Sequence, residues 1–200
     1  MGDQAGGGPP TASPASPSAV VGVLALQGDF EAHAKLLSQL GATACEVRVP
    51  AQLEALDALI IPGGESTVMT FGIEREGLGD PIRDLARAGT PVLGTCAGLI
   101  MLDRDHLDIL DIRAERNAFG RQVRSFEADL EFADLEGGPV HAVFIRAPWV
   151  AEYGEAVEVL AQAAGHPVAV RQDNVIAVAF HPELTGETRI HALLLAQLRR

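Results

Sequence analysis

Three short stretches of the 200-residue chain carry side chains suited to covalent chemistry. The first is Gly94-Thr95-Cys96-Ala97-Gly98, a cysteine with a glycine two positions to either side. This is the G-x-nucleophile-x-G pattern of a sharp strand-to-helix turn that holds a nucleophile above a sheet. Such a turn strains the nucleophile's backbone and admits only small flanking residues. A helix beginning just after Cys96 sets its N-terminal dipole beneath the sulfur and favours the thiolate. The size of that effect decides reactivity. A thiol of pKa about 8.5 is only about 3% ionised at pH 7, against roughly three-quarters at a pKa of about 6.5.

The second stretch is Phe180-His181-Pro182-Glu183. In an extended chain, residues two apart project to the same side, which brings His181 and Glu183 together. A carboxylate there fixes the imidazole tautomer and stabilises its cation, as a catalytic histidine requires. Taken alone, the pair is a weak signal, and a strand-end histidine beside a solvated glutamate is the commoner meaning of such a pair. The third stretch is Pro62-Gly63-Gly64-Glu65-Ser66-Thr67. Its backbone N–H groups suit an anion or a developing oxyanion, and a plain glycine turn capped by Ser66 is the alternative. No Gly-Lys-Ser/Thr element follows, so it is not a phosphate loop.

The remaining candidates have quieter settings. Cys45 lies in a strand-like run and reads as a core-facing residue. His33 and His191 fall in helical patterns, His106 in a charged loop, His141 in a strand and His166 beside Gly165. None has ligand spacing to a second His, Cys or carboxylate cluster, so no metal site is expected.

The elements that must position these residues alternate. Val20–Leu26, Ala44–Val49, Leu59–Ile61 and Pro91–Gly94 are short apolar runs, as strands covered on both faces should be. Between them, Phe30, Ala34, Leu37 and Leu40 recur at helical spacing behind a capping Asp29, and a further helix is predicted near 80–88. Strand and helix alternate through Gly98, which favours a doubly wound α/β layer architecture. Ligands of such sheets bind beyond the carboxyl ends of the strands, at the loops holding Gly63, Thr95 and His181. After Asn117 the texture changes to closely spaced β-like runs (123–132, 140–145, 157–161, 168–171 and 175–180). Turns are predicted at Gly137-Gly138-Pro139 and Asp173-Asn174, and a helix over 188–198 closes the chain.

Residues 1–19, rich in Gly, Ala, Pro and Ser, have almost nothing to bury and read as a disordered extension before one domain over 20–200. They lack the basic and continuous apolar regions of a signal peptide, and no run approaches the roughly 18 apolar residues of a membrane helix. A formal net charge of −12 repels phosphate backbones and anionic lipid, so neither nucleic acid nor membrane is expected as a partner. Two cysteines are too few for a disulfide framework, and the expectation is a cytoplasmic protein.

Together the three stretches resemble the class I, triad-type glutamine amidotransferases far more specifically than any one does alone. Leu24-Ala25-Leu26-Gln27-Gly28, Arg116-Asn117-Ala118-Phe119-Gly120-Arg121-Gln122, Ser125-Phe126-Glu127, Phe144-Ile145-Arg146-Ala147-Pro148 and Phe180–Thr185 narrow the resemblance. They are similar to the PdxT family, the glutaminase subunits of pyridoxal 5′-phosphate synthase. The resemblance covers the chain from about Val20 onward. It implies a three-layer flavodoxin-like sandwich with a mostly parallel central sheet, and hydrolysis of L-glutamine to glutamate and ammonia.

The resemblance further implies a partner, a PdxS-type (β/α)8 synthase subunit that receives the ammonia in a hetero-oligomeric complex. No cofactor is implied. Carried over by position, Cys96 is the nucleophile, His181 the acid and base, and Glu183 the residue that orients His181. The backbone amides of Gly64 and Ala97 form the oxyanion hole. Gly64, Glu65, Ser66, Arg116, Ile145 and Arg146 match glutamine-binding positions. A glutaminase serving another synthase, or a non-catalytic regulatory module on the same scaffold, are the alternatives. The chain departs from the family in three places: a short, charged segment between Met101 and Arg116, Arg124 before Ser-Phe-Glu, and the N-terminal extension.

Overall fold

The computed structural model describes residues 18–116, 118–119, 125–133 and 135–199. Most of the N-terminal extension, Arg124 and much of the Arg-Asn-Ala-Phe-Gly-Arg-Gln motif lie outside the described residues. The elements run β1 (Val20–Leu24), α1 (Phe30–Gln39), β2 (Thr43–Val47), β3 (Ala58–Ile61), α2 (Ser66–Arg75), α3 (Gly79–Arg87), β4 (Val92–Thr95) and α4 (Ala97–Leu102). They continue with β5 (Ile112–Glu115), β6 (Ser125–Leu130), β7 (Val140–Ile145), β8 (Trp149–Tyr153), β9 (Glu158–Ala163), β10 (His166–Gln172), β11 (Val175–Val178), α5 (Pro182–Thr185) and α6 (Thr188–Ala196).

One seven-stranded sheet has the order β2-β1-β3-β4-β11-β10-β9. Its first five strands are parallel, in the 2-1-3-4-5 arrangement of flavodoxin-like folds, and β10 and β9 extend it antiparallel. Every residue of β3, β4 and β11 is buried, which a strand achieves only with a layer on each face. Helices supply those layers: α1 packs with α6, and α4 packs with α2 against β3, β4 and β11. Leu59, Ile60 and Ile61 are wholly buried. Each such side chain contributes about 1.5–3 kcal/mol of hydrophobic stabilisation.

Two small antiparallel pairs, β5–β8 and β6–β7, flank the sheet. An aromatic cluster anchors the second. Phe126 and Phe144 are cross-strand partners stacked at 4.5 Å, and Phe144 meets Phe180 edge-on at 5.8 Å. Such pairs add about 0.5–1.5 kcal/mol each beyond the area they bury. The end of β7, carrying Ile145 and Arg146, is thereby fixed to the strand that leads into His181.

The structure differs from the sequence reading at several boundaries. Ser18 and Ala19, at the end of the expected extension, reach the segment entering β2: Ser18 Oγ donates to Gly41 O at 2.8 Å and lies 3.1 Å from Thr43 Oγ1, and Thr43 N donates to Ala19 O at 2.8 Å. β1 stops at Leu24 rather than Leu26, because the chain turns there through Gly28 at φ 105°. The run predicted over 123–132 is β6, Ser125–Leu130 among the described residues. β5 and β8 were not foreseen; both are short and carry charged residues, and each finds its partner only across the fold.

Candidate active site

Cys96 stands between β4 and α4 with φ 50° and ψ −105°, a left-handed backbone that costs a non-glycine residue about 1–3 kcal/mol. Its N–H donates to Val178 O at 2.8 Å, and its Sγ lies 3.9 Å from Ile145 O. The flanking glycines leave no room for a side chain. A Cβ on Gly98 would sit 1.9 Å from Ile61 O, and one on Gly94 would sit 2.7 Å from the Gly98 backbone. The turn is as tight as the spacing predicts, and its strain holds the sulfur up at the end of the sheet.

His181 and Glu183 do meet, but not on an extended chain. Pro182–Thr185 is a one-turn helix with His181 at its N-cap and proline, whose fixed φ suits the first helical position, at N1. Glu183 therefore folds back from the first turn, and its Oε1 accepts from His181 Nδ1 at 2.7 Å. The His181 ring passes over Gly63, where a Cβ would lie 2.5 Å from His181 Cε1 and 3.4 Å from Cys96 Cβ. Glycine at this position lets the imidazole and the cysteine converge. Burial opposes a charged His181 ring, yet hydrogen bonds and charge from Cys96 and Glu183 outweigh it and push its pKa up to about 10. Burial likewise opposes the Glu183 carboxylate, and the hydrogen bond from His181 overcomes it and lowers that pKa. Its setting between Cys96 and Glu183 thus favours the charged form of His181.

Behind Glu183 lies a pair of histidines that the sequence placed only within helical patterns. His33 Nε2 is 3.7 Å from Glu183 Oε2, and His33 Nδ1 bonds His191 Nε2 at 2.9 Å; both rings are fully buried. No local signal could reveal this, since the two residues come from α1 and α6. Burial lowers both pKa values below 6.5, so the folded protein holds these rings neutral. The unfolded chain binds protons below pH 6.5 that the native state does not. Stability is therefore complete above that pH and lost as pH falls, by at most about 1.4 kcal/mol per pH unit for each proton. His191→Gln should flatten this acid decline in urea-unfolding midpoints between pH 7 and 5. A variant whose decline matches the parent's would contradict the assignment.

A cavity of about 430 Å³ opens at the carboxyl ends of β1, β3, β4 and β11, a volume suited to a small polar metabolite. Its walls gather Gly64, Glu65, Ser66, Cys96, Ala97, Arg116, Ile145, Arg146 and His181, while Glu183 stands behind His181. Arg146, like Cys96, has a left-handed backbone, at φ 46°. Gln27, Ile100 and Pro148 also line it; Gln27 and Pro148 lie in motifs that carry the resemblance, but none of the three was given a site role from sequence. The signal for Gln27 was its place just after an apolar strand: its Oε1 accepts from Glu65 N at 3.0 Å.

Glu65, not Ser66, caps α2, its carboxylate accepting from Thr67 N at 3.1 Å and Val68 N at 2.9 Å. Those backbone hydrogen bonds lower its pKa.

The SNO glutamine amidotransferase family model matches residues 23–200. The chain belongs to that family. The pyridoxal 5′-phosphate synthase subunit PdxT of Frankia alni is 52% identical over 188 residues, covering 90% of this chain and 94% of that protein. The PdxT of Streptomyces griseus subsp. griseus is 50% identical over 193 residues, covering 92% and 98%. A glutamine amidotransferase crystal structure 48% identical superposes with a TM-score of 0.84, covering 90% of this chain and 99% of that one. The structure of PurLQS from Thermotoga maritima, 16% identical with a TM-score of 0.70, shares the fold.

The amidotransferase's other cysteine departs from expectation. Cys45 is only half-buried, because β2 is the edge strand of the sheet and one side of it lacks a neighbour. Among the described residues no helix is long and apolar enough to cross a membrane.

Proposed function

We propose that this amidotransferase hydrolyses L-glutamine to L-glutamate and ammonia at Cys96 and passes the ammonia to a synthase subunit that makes pyridoxal 5′-phosphate. The observation that carries the reading is the convergence over Gly63 of a strained Cys96 with a His181 ring bound to Glu183 at 2.7 Å. Family membership and the names of its relatives support the substrate and the partner.

Glu183 engages Nδ1 and leaves Nε2 for the sulfur, so that His181 takes the thiol proton as Cys96 reacts. The Cys96 thiolate attacks the side-chain carbonyl carbon of glutamine, and the carbonyl electron pair moves to oxygen. N–H groups of Gly64 and Ala97 receive that oxyanion; one such donor contributes about 2.7–4 kcal/mol of barrier reduction. The tetrahedral intermediate collapses as His181 protonates the departing nitrogen, releasing ammonia and leaving a glutamyl thioester on Cys96. Water then adds to the thioester with His181 taking its proton, and the Cys96 thiolate leaves with glutamate free. Arg116 and Arg146 at the cavity wall supply the cations for the substrate's α-carboxylate.

The test is ammonia release from glutamine with and without a (β/α)8 pyridoxal 5′-phosphate synthase subunit. Turnover should rise strongly when that subunit is added. No ammonia under either condition would refute the activity, and a rate indifferent to the synthase would refute the partnership.

A further inference from the structure

The segment between Met101 and Arg116 that departs from the family is organised by one buried carboxylate. Asp103 follows directly on α4, and its side chain is only 2% exposed despite its charge. Oδ1 accepts from His106 Nδ1 at 2.7 Å and from Asp105 N at 3.0 Å, while Oδ2 accepts from Ala114 N on β5 at 3.2 Å. The helix that starts at Cys96 is thus pinned at its far end to the strand that leads into Arg116.

His106 continues the connection. With Nδ1–H given to Asp103, the ring keeps its lone pair on Nε2, and Arg116 Nη2 donates to that atom at 3.2 Å. An imidazole is an unusual rest for a guanidinium, which is normally met by a carboxylate. The choice has a consequence. An imidazole acceptor aims the guanidinium without a direct carboxylate pairing at that nitrogen, so its remaining N–H groups stay available to the cavity, where its charge also reaches the Glu65 carboxylate. A carboxylate in the place of His106 would compete with a substrate carboxylate for the same cation. Packing does not fix the His106 ring by itself, because it also borders a second cavity of about 190 Å³ beside Met101. Its hydrogen bonds do.

We propose that Asp103 and His106 form a relay that positions Arg116 for the α-carboxylate of glutamine, with His106 a positioning residue that never touches substrate. This rests on the reading of the cavity as a glutamine site. Through it, one six-residue helix sets both the nucleophile at its start and the carboxylate anchor beyond its end, fixing the length of substrate between them.

The test uses the complex with the synthase subunit and compares steady-state kinetics of the parent, His106→Ala, His106→Gln, Arg116→Ala and the His106→Ala/Arg116→Ala double variant. His106→Ala removes a hydrogen bond to a charged group and should raise the KM for glutamine at least about 10-fold while kcat stays within about 2-fold. His106→Gln, whose amide retains a donor for Asp103 and an acceptor for Arg116, should recover most of the loss. In the Arg116→Ala background the His106 substitution should add nothing. Glutamine affinity by calorimetry in a Cys96→Ala background should show the same ranking without turnover. An unchanged KM in His106→Ala, a loss confined to kcat, or additivity with Arg116→Ala would overturn the relay. If the parent complex neither hydrolyses nor binds glutamine, the reading of the cavity fails instead, and that outcome is visible before any variant is compared.

Discussion

Replacing Cys96 by alanine lowers glutamine turnover in the synthase complex by at least about 10⁴-fold, the scale on which removal of a covalent nucleophile acts. The expectation follows from the geometry of the turn. Alanine keeps the Cβ that already tolerates φ 50°, and the hydrogen bond from residue 96 N to Val178 O does not involve the side chain. Only the sulfur is lost. Urea unfolding at neutral pH should show a near-parental midpoint, which separates a chemical loss from a folding defect. Alkylation by iodoacetamide gives a second reading: the parent should lose activity in step with modification of Cys96, and glutamine should protect it. Turnover persisting in a folded Cys96→Ala protein would dismiss the covalent mechanism outright.

The second large effect is on stability. Gly98→Ala places a methyl group 1.9 Å from the Ile61 carbonyl oxygen, and that atom belongs to the backbone of a central, fully buried strand. No flexible side chain can swing aside, so either α4 lifts from β3 or the sheet deforms. Overpacking of this kind costs about 3 kcal/mol at the upper end of its usual range. For a domain of this size the melting temperature should drop by roughly 6–12 °C, and catalysis should fall with it because Cys96 sits at the start of the displaced helix. A Gly98→Ala protein that melts within about 2 °C of the parent would mean that helix and strand do not approach so closely.

The two results bear on how a site of this kind is written into a chain. The elbow was legible because its requirements are local: an apolar strand, glycine two residues either side of a nucleophile, and an apolar run able to form the next helix. The parallel sheet was legible for a similar reason. Strands such as Leu59-Ile60-Ile61 are apolar at successive positions, and only coverage on both faces explains that composition. The resemblance to known amidotransferases then joined motifs that lie far apart in the chain.

Other parts of the site had no local signature. His181 and Glu183 were paired correctly through the wrong geometry, since a proline two-residue spacing fits a strand and a first helical turn alike. One of the two readings of the glycine turn had Ser66 as its cap, and the cap of α2 is Glu65, whose longer side chain folds back onto the amides of Thr67 and Val68. The histidines behind Glu183 are 158 residues apart, and the link from Asp103 through His106 to Arg116 joins a helix end to a strand end across an irregular turn.

By itself, then, the sequence determined the alternation of strands and helices through Gly98, the tight cysteine turn and the chemical class of the site, because each is encoded among near neighbours with a fixed periodicity. The tertiary structure alone decided that His33 and His191 stand behind Glu183 and that His106 holds Arg116. Those contacts depend on how parallel strands and their crossovers bring distant segments to one edge of a sheet, and a hydrogen bond formed there leaves no pattern in the residues around either partner.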